Sequence, residues 1–149
     1  MKKASVSNSF FIEIIIAILF FSLCVAITLQ LFVDAHLKSV LSAETNIAIV
    51  RLQNEAEEIK SSKSFSNIQR VYQQYQNQTE NNEKLTYQIP LDDDWNITKG
   101  KAKYFIHIKL KNTLMSNGIM VQANIAAIKI DNNAKKALCD IDVNHYIAK

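Results

Sequence analysis

Residues 10–33 read FFIEIIIAILFFSLCVAITLQLFV, an apolar run in which Glu13 is the only charge and Gln30 the only other strongly polar side chain. From Ile14 to Val33 there are 20 residues. As a helix rising about 1.5 Å per residue they span the roughly 30 Å hydrocarbon core of a bilayer. The run therefore predicts a transmembrane helix over 9–33. Lys2 and Lys3 precede it, while Asp34 and Lys38 follow with no local positive excess. The positive-inside rule then places the N-terminus in the cytoplasm and the C-terminal domain outside the cytoplasmic membrane, as a single-pass protein. A retained anchor fits better than a secretory signal, because cleavage around Cys24-Val25-Ala26 would leave apolar residues continuing to Val33.

The remainder of the composition narrows the class. A chain of 149 residues has room for one domain, or a small domain plus an anchor. Its 17 Lys+Arg against 14 Asp+Glu leave a charge of +3 with no single basic patch, so no nucleic-acid partner is expected. Two Gly and one Pro argue against a Gly-rich phosphate-binding enzyme or a collagen-like chain. Cys24 lies in the apolar run and Cys139 near the C-terminus, so no internal disulfide is expected. Cys139 reads as a half-buried free thiol, and neither cysteine has a partner at zinc-ligand spacing.

Glu13 is the most informative residue. A carboxylate at the centre of a bilayer costs roughly 2.5–3.5 kcal/mol, unless its head reaches water at the interface or it meets a partner. Position alone leaves both readings open. The segment Ser9-Phe10-Phe11-Ile12-Glu13, followed by IIIAILFF, closely resembles the N-terminus of bacterial type IV pilin-like proteins. That family includes the pseudopilins of type II secretion, and the resemblance covers about residues 2–35. It implies a basic leader over 1–8, MKKASVSN, removed between Asn8 and Ser9 by a prepilin peptidase, and a methylated amine on Ser9. Glu13 would then be the fifth mature residue and would pair with the N-terminal amine of a neighbouring subunit, setting assembly register. A buried carboxylate beside an ammonium is far less costly than either charge alone. Phe10, Phe11, Ile14, Ile15, Ala17, Ile18, Phe21, Leu29 and Phe32 would pack the helix against membrane lipid and other pilin-like subunits. The family carries Gly immediately before the cleavage site, and this chain departs from it with Asn8.

Beyond Val33 the apolar period changes. Leu37, Val40, Leu41, Ile47, Ala48, Leu52, Ala56 and Ile59 recur at three- and four-residue steps between polar residues. They predict an amphipathic continuation of the helix over 34–60, giving a helix of roughly 78 Å from Ser9 to Lys60. The stripe lacks sustained heptads, which favours packing on a sheet over a coiled coil. Ser61-Ser62-Lys63-Ser64 breaks the helix, and Phe65, Ile68, Val71, Tyr72 and Tyr75 predict one face of a short second helix. The Gln/Asn-rich stretch NQTENNEK (77–84) reads as an exposed loop.

From residue 85 the period falls to two. Leu85, Tyr87 and Ile89 alternate with polar neighbours, as do Ile106, Ile108 and Leu110 with His107, Lys109 and Lys111. Met115-Ser116-Asn117-Gly118 predicts a hairpin turn, Asp131-Asn132-Asn133 a second turn, and ALCDIDVNHYI (137–147) a last strand. The expected fold class is α+β: a long N-terminal helix, transmembrane then amphipathic, packed on a small antiparallel sheet of about four strands. The extracytoplasmic α+β domain would cover 61–149, and residues 34–149 suffice for one modest core.

The chemistry is sparse. Asp92-Asp93-Asp94 reads as a solvated turn before Trp95 rather than a calcium loop, and Asp140 with Asp142 lacks a third metal ligand. His36, His107 and His145 stand far apart, with no GxSxG, HExxH or phosphate-binding loop around them. Neither cofactor, metal nor catalysis is expected. Trp95 reads as a core or edge anchor, with a partner-binding hot spot as the sharper alternative. The sequence as a whole reads as a minor pilin or pseudopilin, a subunit of a type IV pilus-like or type II secretion-like filament. The alternative is a single-pass protein whose external module binds a ligand or partner without forming filaments.

Overall fold

The computed structural model describes the backbone of residues 4–81, 84–131 and 134–148, and the side chains of 9–75, 85–131 and 134–148. Helix α1 runs Ala4–Ser61 and α2 runs Phe65–Tyr72, followed by a single 3-10 turn, Gln73–Tyr75. Five strands follow: β1 Gln76–Asn81, β2 Lys84–Leu91, β3 Tyr104–Met115, β4 Gly118–Asp131 and β5 Ala134–Ala148. They form one sheet in the order β1-β2-β3-β4-β5, every neighbouring pair antiparallel. The chain divides into two compact units, one ending at Ala43 and the other starting at Glu44.

The expected α+β class is correct: the second half of α1 packs on the antiparallel sheet. Ala48, Leu52, Ala56 and Ile59 of α1 are buried with Ile68 and Tyr72 of α2. Against them lie Leu85, Tyr87, Ile89 and Leu91 of β2, Tyr104, Ile106, Ile108 and Leu110 of β3, Val121, Ala123, Ile125 and Ala127 of β4, and Val143 of β5. Alternation of side chains along each strand explains the set, since every second residue of β2, β3 and β4 faces the helix. Lys109 and Lys111 are exposed on the other face and His107 is half-buried there.

Several expectations need correction. The stripe Leu37, Val40, Leu41, Ile47 is exposed, and burial starts only at Ala48. The first three belong to the first unit, in which every described side chain from Ser9 to Ala43 is exposed. Ile47 sits about 100° round the helix from Ala48 and so misses the buried face. Val71 is likewise exposed, leaving Ile68 and Tyr72 as the buried face of α2, with Phe65 and Tyr75 partly buried beside them. The Gln/Asn-rich stretch is not wholly a loop: residues 76–81 pair with β2 as a fifth strand, with two register shifts. A polar strand at a sheet edge shows no apolar alternation, so the pattern concealed it.

Local chemistry sets the ends. Ser61 and Ser62 hydroxyls both donate to the Glu58 carbonyl, and their competition with the backbone closes α1. Ser64 caps α2 by accepting from the Asn67 amide at 3.2 Å. The expected Ser116-Asn117 turn joins β3 to β4, with Met115 opposite Gly118. Asn132 and Asn133 of the second expected turn lie outside the described residues, as do residues 82 and 83.

Candidate functional site

Among the described residues one helix, Ser9–Ser61, is long and apolar enough to cross a membrane. Phe10, Phe11, Ile15, Ile18, Phe21, Leu29 and Phe32 are each 57–72% exposed, and Ile14 39%. Ala17 is exposed too. Side chains of this size in an unbroken run require an apolar surrounding. Two hydroxyls inside the run are quenched internally: Ser22 and Thr28 donate 2.8 Å bonds to the Ile18 and Cys24 carbonyls four residues back.

Ile18, Phe21 and Leu29 share a shallow groove along the helix with Ser22, Val25 and Ala26. The first three were expected to pack; the last three were missed. Their signal was the four-residue spacing of small residues, Ser22 and Ala26, which lets helices approach closely. Glu13 lies five residues before Ile18, about 140° round the helix, so it occupies a different face from the groove. Its side chain is exposed, as is that of Ser9. Residues 4–8 continue α1 by backbone, while residues 1–3 and the side chain of Asn8 lie outside the described residues.

The second unit is clamped where it begins. Glu44 accepts from Lys129 Nζ at 2.7 and 2.8 Å and from the Tyr104 hydroxyl at 3.0 Å. Burial raises the Glu44 pKa, but the Lys129 and Tyr104 hydrogen bonds and the Lys129 and Lys103 charges outweigh it and hold the carboxyl below its usual range. Further along α1, Glu55 accepts a 2.7 Å bond from the Tyr72 hydroxyl. Here burial wins, joined by the Glu58 charge, and the carboxyl titrates above its usual range. Trp95 is a buried anchor, 4% exposed, stacked on Tyr104 at 4.1 Å between ring centres.

The sheet face turned away from the helix carries an open trough of about 630 Å³. One cross-strand row of its floor runs Thr86, Lys109, Asn124, Asp142, and a second runs Lys111, Gln122, Asn144. Asn124 donates to Asp142 at 2.9 Å, so this carboxylate already has a partner in the sheet. His107, one row along, is held below the usual imidazole range by burial and by the Lys135 and Lys109 charges. The trough joins residues that the sequence treated separately, because only strand register reveals the rows. It can hold a polar ligand of mixed charge, with the cations of Lys109 and Lys111 on β3 and the single carboxylate of Asp142 on β5.

Asp92, Asp93 and Asp94 form the expected turn: Asp92 Oδ1 accepts from the amides of Asp94 and Asn96, each at 2.9 Å. Among the described residues no group of three His, Cys, Asp or Glu side chains is arranged to hold a metal. Cys139 is half-buried, its thiol pushed up by burial and by Asp140, and Cys24 is exposed in the apolar segment. His145 Nε2 lies 3.0 Å from the Ser62 carbonyl oxygen, a contact between β5 and the end of α1. His36 is exposed in the first unit. No protein-family profile matches the chain, and neither a curated protein nor a solved structure matches it.

Proposed function

We propose that the chain is a membrane-anchored pilin-like subunit, a minor pilin or pseudopilin, that enters a type IV pilus-like or type II secretion-like filament. The observation that carries the reading is Glu13 as the lone charge of an apolar helix whose amphipathic continuation packs on an antiparallel sheet. The helix waits in the cytoplasmic membrane, N-terminus inside and sheet domain outside. On assembly its apolar faces exchange lipid for the helices of other subunits, and Glu13 takes the amine of a neighbour. The function is structural, with no catalytic step and no cofactor. A prepilin peptidase acts after Asn8.

Intact mass of the membrane-extracted chain, with its own peptidase present, tests the processing. A start at methylated Ser9 supports filament entry, and an intact Met1 start counts against it. Glu13→Ala then separates assembly from insertion: membrane insertion should be normal while co-assembly with partner subunits falls at least tenfold. The open trough of the sheet favours a second reading, in which the same anchor displays a module that binds a polar ligand. Under that reading Glu13→Ala changes little.

A further inference from the structure

We propose that two copies of this chain pair edge to edge through β5, antiparallel, building one continuous sheet across a two-fold axis at Leu138-Cys139. This pairing does not depend on whether the chain enters a filament.

The two edges of the sheet differ. β1 is six residues long and its pairing with β2 is twice interrupted. β5 is a 15-residue strand without proline. Among the described residues, no backbone hydrogen bond reaches its outer edge from another element. A long strand with unpaired amides and carbonyls is a template for a further strand.

The side chains of β5 select a second copy as that strand. Its pairing with β4 shifts between Ala127↔Cys139 and Ile128↔Ala137, so Leu138 is an extra residue, and both Leu138 and Cys139 pack toward the core. This bulge reverses the faces. Asp140 and Asp142 lie on the open face, opposite Ala126 and Asn124. Lys135 shares that face, opposite Ile130, which lies on the same side of β4 as Ala126 and Asn124. Setting bulge against bulge in an antiparallel pair brings Lys135 opposite Asp142 of the second copy and Ala137 opposite Asp140, with each pair on one face. The strand is thus self-complementary: cations before the bulge meet carboxylates after it, twice over by symmetry. Registers that set Asp140 against Asp142 place like charges opposite each other and are disfavoured. Neither Lys135 nor Asp142 belongs to an ion pair within the chain among the described residues.

Cys139 stands beside the axis and reports on it. In the full chain, extracted in mild detergent and carrying Cys24→Ser, a short bismaleimide should link two copies through Cys139. Lys135→Asp or Asp142→Lys should each lower the linked fraction at least tenfold, and the two together should restore it, which also shows that the variants fold. Absence of linked dimer in the Cys24→Ser chain overturns the proposal. So does a linked fraction indifferent to the single reversals, or one that the double reversal fails to restore.

Discussion

Gly118 opens β4 where there is no space for a side chain. A Cβ there would collide with the Ile147 carbonyl oxygen and press on the Tyr146 ring 2.9 Å away. Gly118→Ala must therefore lift β5 from β4, and we expect a loss of about 1–3 kcal/mol in urea unfolding with the slope unchanged. Trp95 shows a different constraint. Its φ of 62° is costly for a bulky residue, about 1–3 kcal/mol, and the stack on Tyr104 holds it in place. Of these two residues the sequence disclosed half. Met-Ser-Asn-Gly announced a turn and Trp95 an anchor from their own chemistry. The contact between Gly118 and β5 depends on register across 29 residues, and the backbone of Trp95 depends on Asp92 gathering the next amides.

At the scale of elements, α1 from Glu44 onward is held by a buried stripe and by two carboxylates of opposite pH response, Glu44 bonded to the sheet and Glu55 to Tyr72 of α2. Glu44 has a lowered pKa, so its contribution is full above the ordinary carboxylate value and lost as pH falls through its own lower one. Glu55 has a raised pKa, so its contribution is full below the ordinary value and lost as pH rises through its own higher one. Glu44→Gln should cost about 1.5–3 kcal/mol at pH 7, because it removes a charge-assisted bond to Lys129. It should also flatten the acid limb of a plot of thermal midpoint against pH between roughly pH 5 and 3. The stripe Ala48, Leu52, Ala56, Ile59 was legible because helical spacing reports the face directly. The clamp was not, since Glu44 and Lys129 are 85 residues apart and nothing local marks either as a partner. β1 escaped for the reason given by its composition: it is polar on both sides, and pairing with β2 rather than burial makes it a strand.

At the scale of the whole molecule, the first unit exposes its apolar side chains while the second buries most of its own, leaving a few such as Ile97 and Leu114 exposed. Alkaline carbonate should leave the full chain in the membrane pellet. Arginine at both Ile16 and Leu19 should release it, since each charge at that depth costs about 2.5–3.5 kcal/mol. The meander gives this asymmetry a temporal meaning. Each strand from β2 to β5 pairs with the one made just before it, so the sheet can zip as hairpins arrive. The helix cannot close with it so early. Lys129, near the end of β4, must be synthesised before Glu44 has its clamp, and the apolar stripe from Ala48 to Ile59 gains its cover only piece by piece, from α2 through β4. Throughout that interval the emerging second unit presents an open hydrophobic helix, which makes Ala48 to Ile59 the stretch of that unit most in need of a chaperone's shelter.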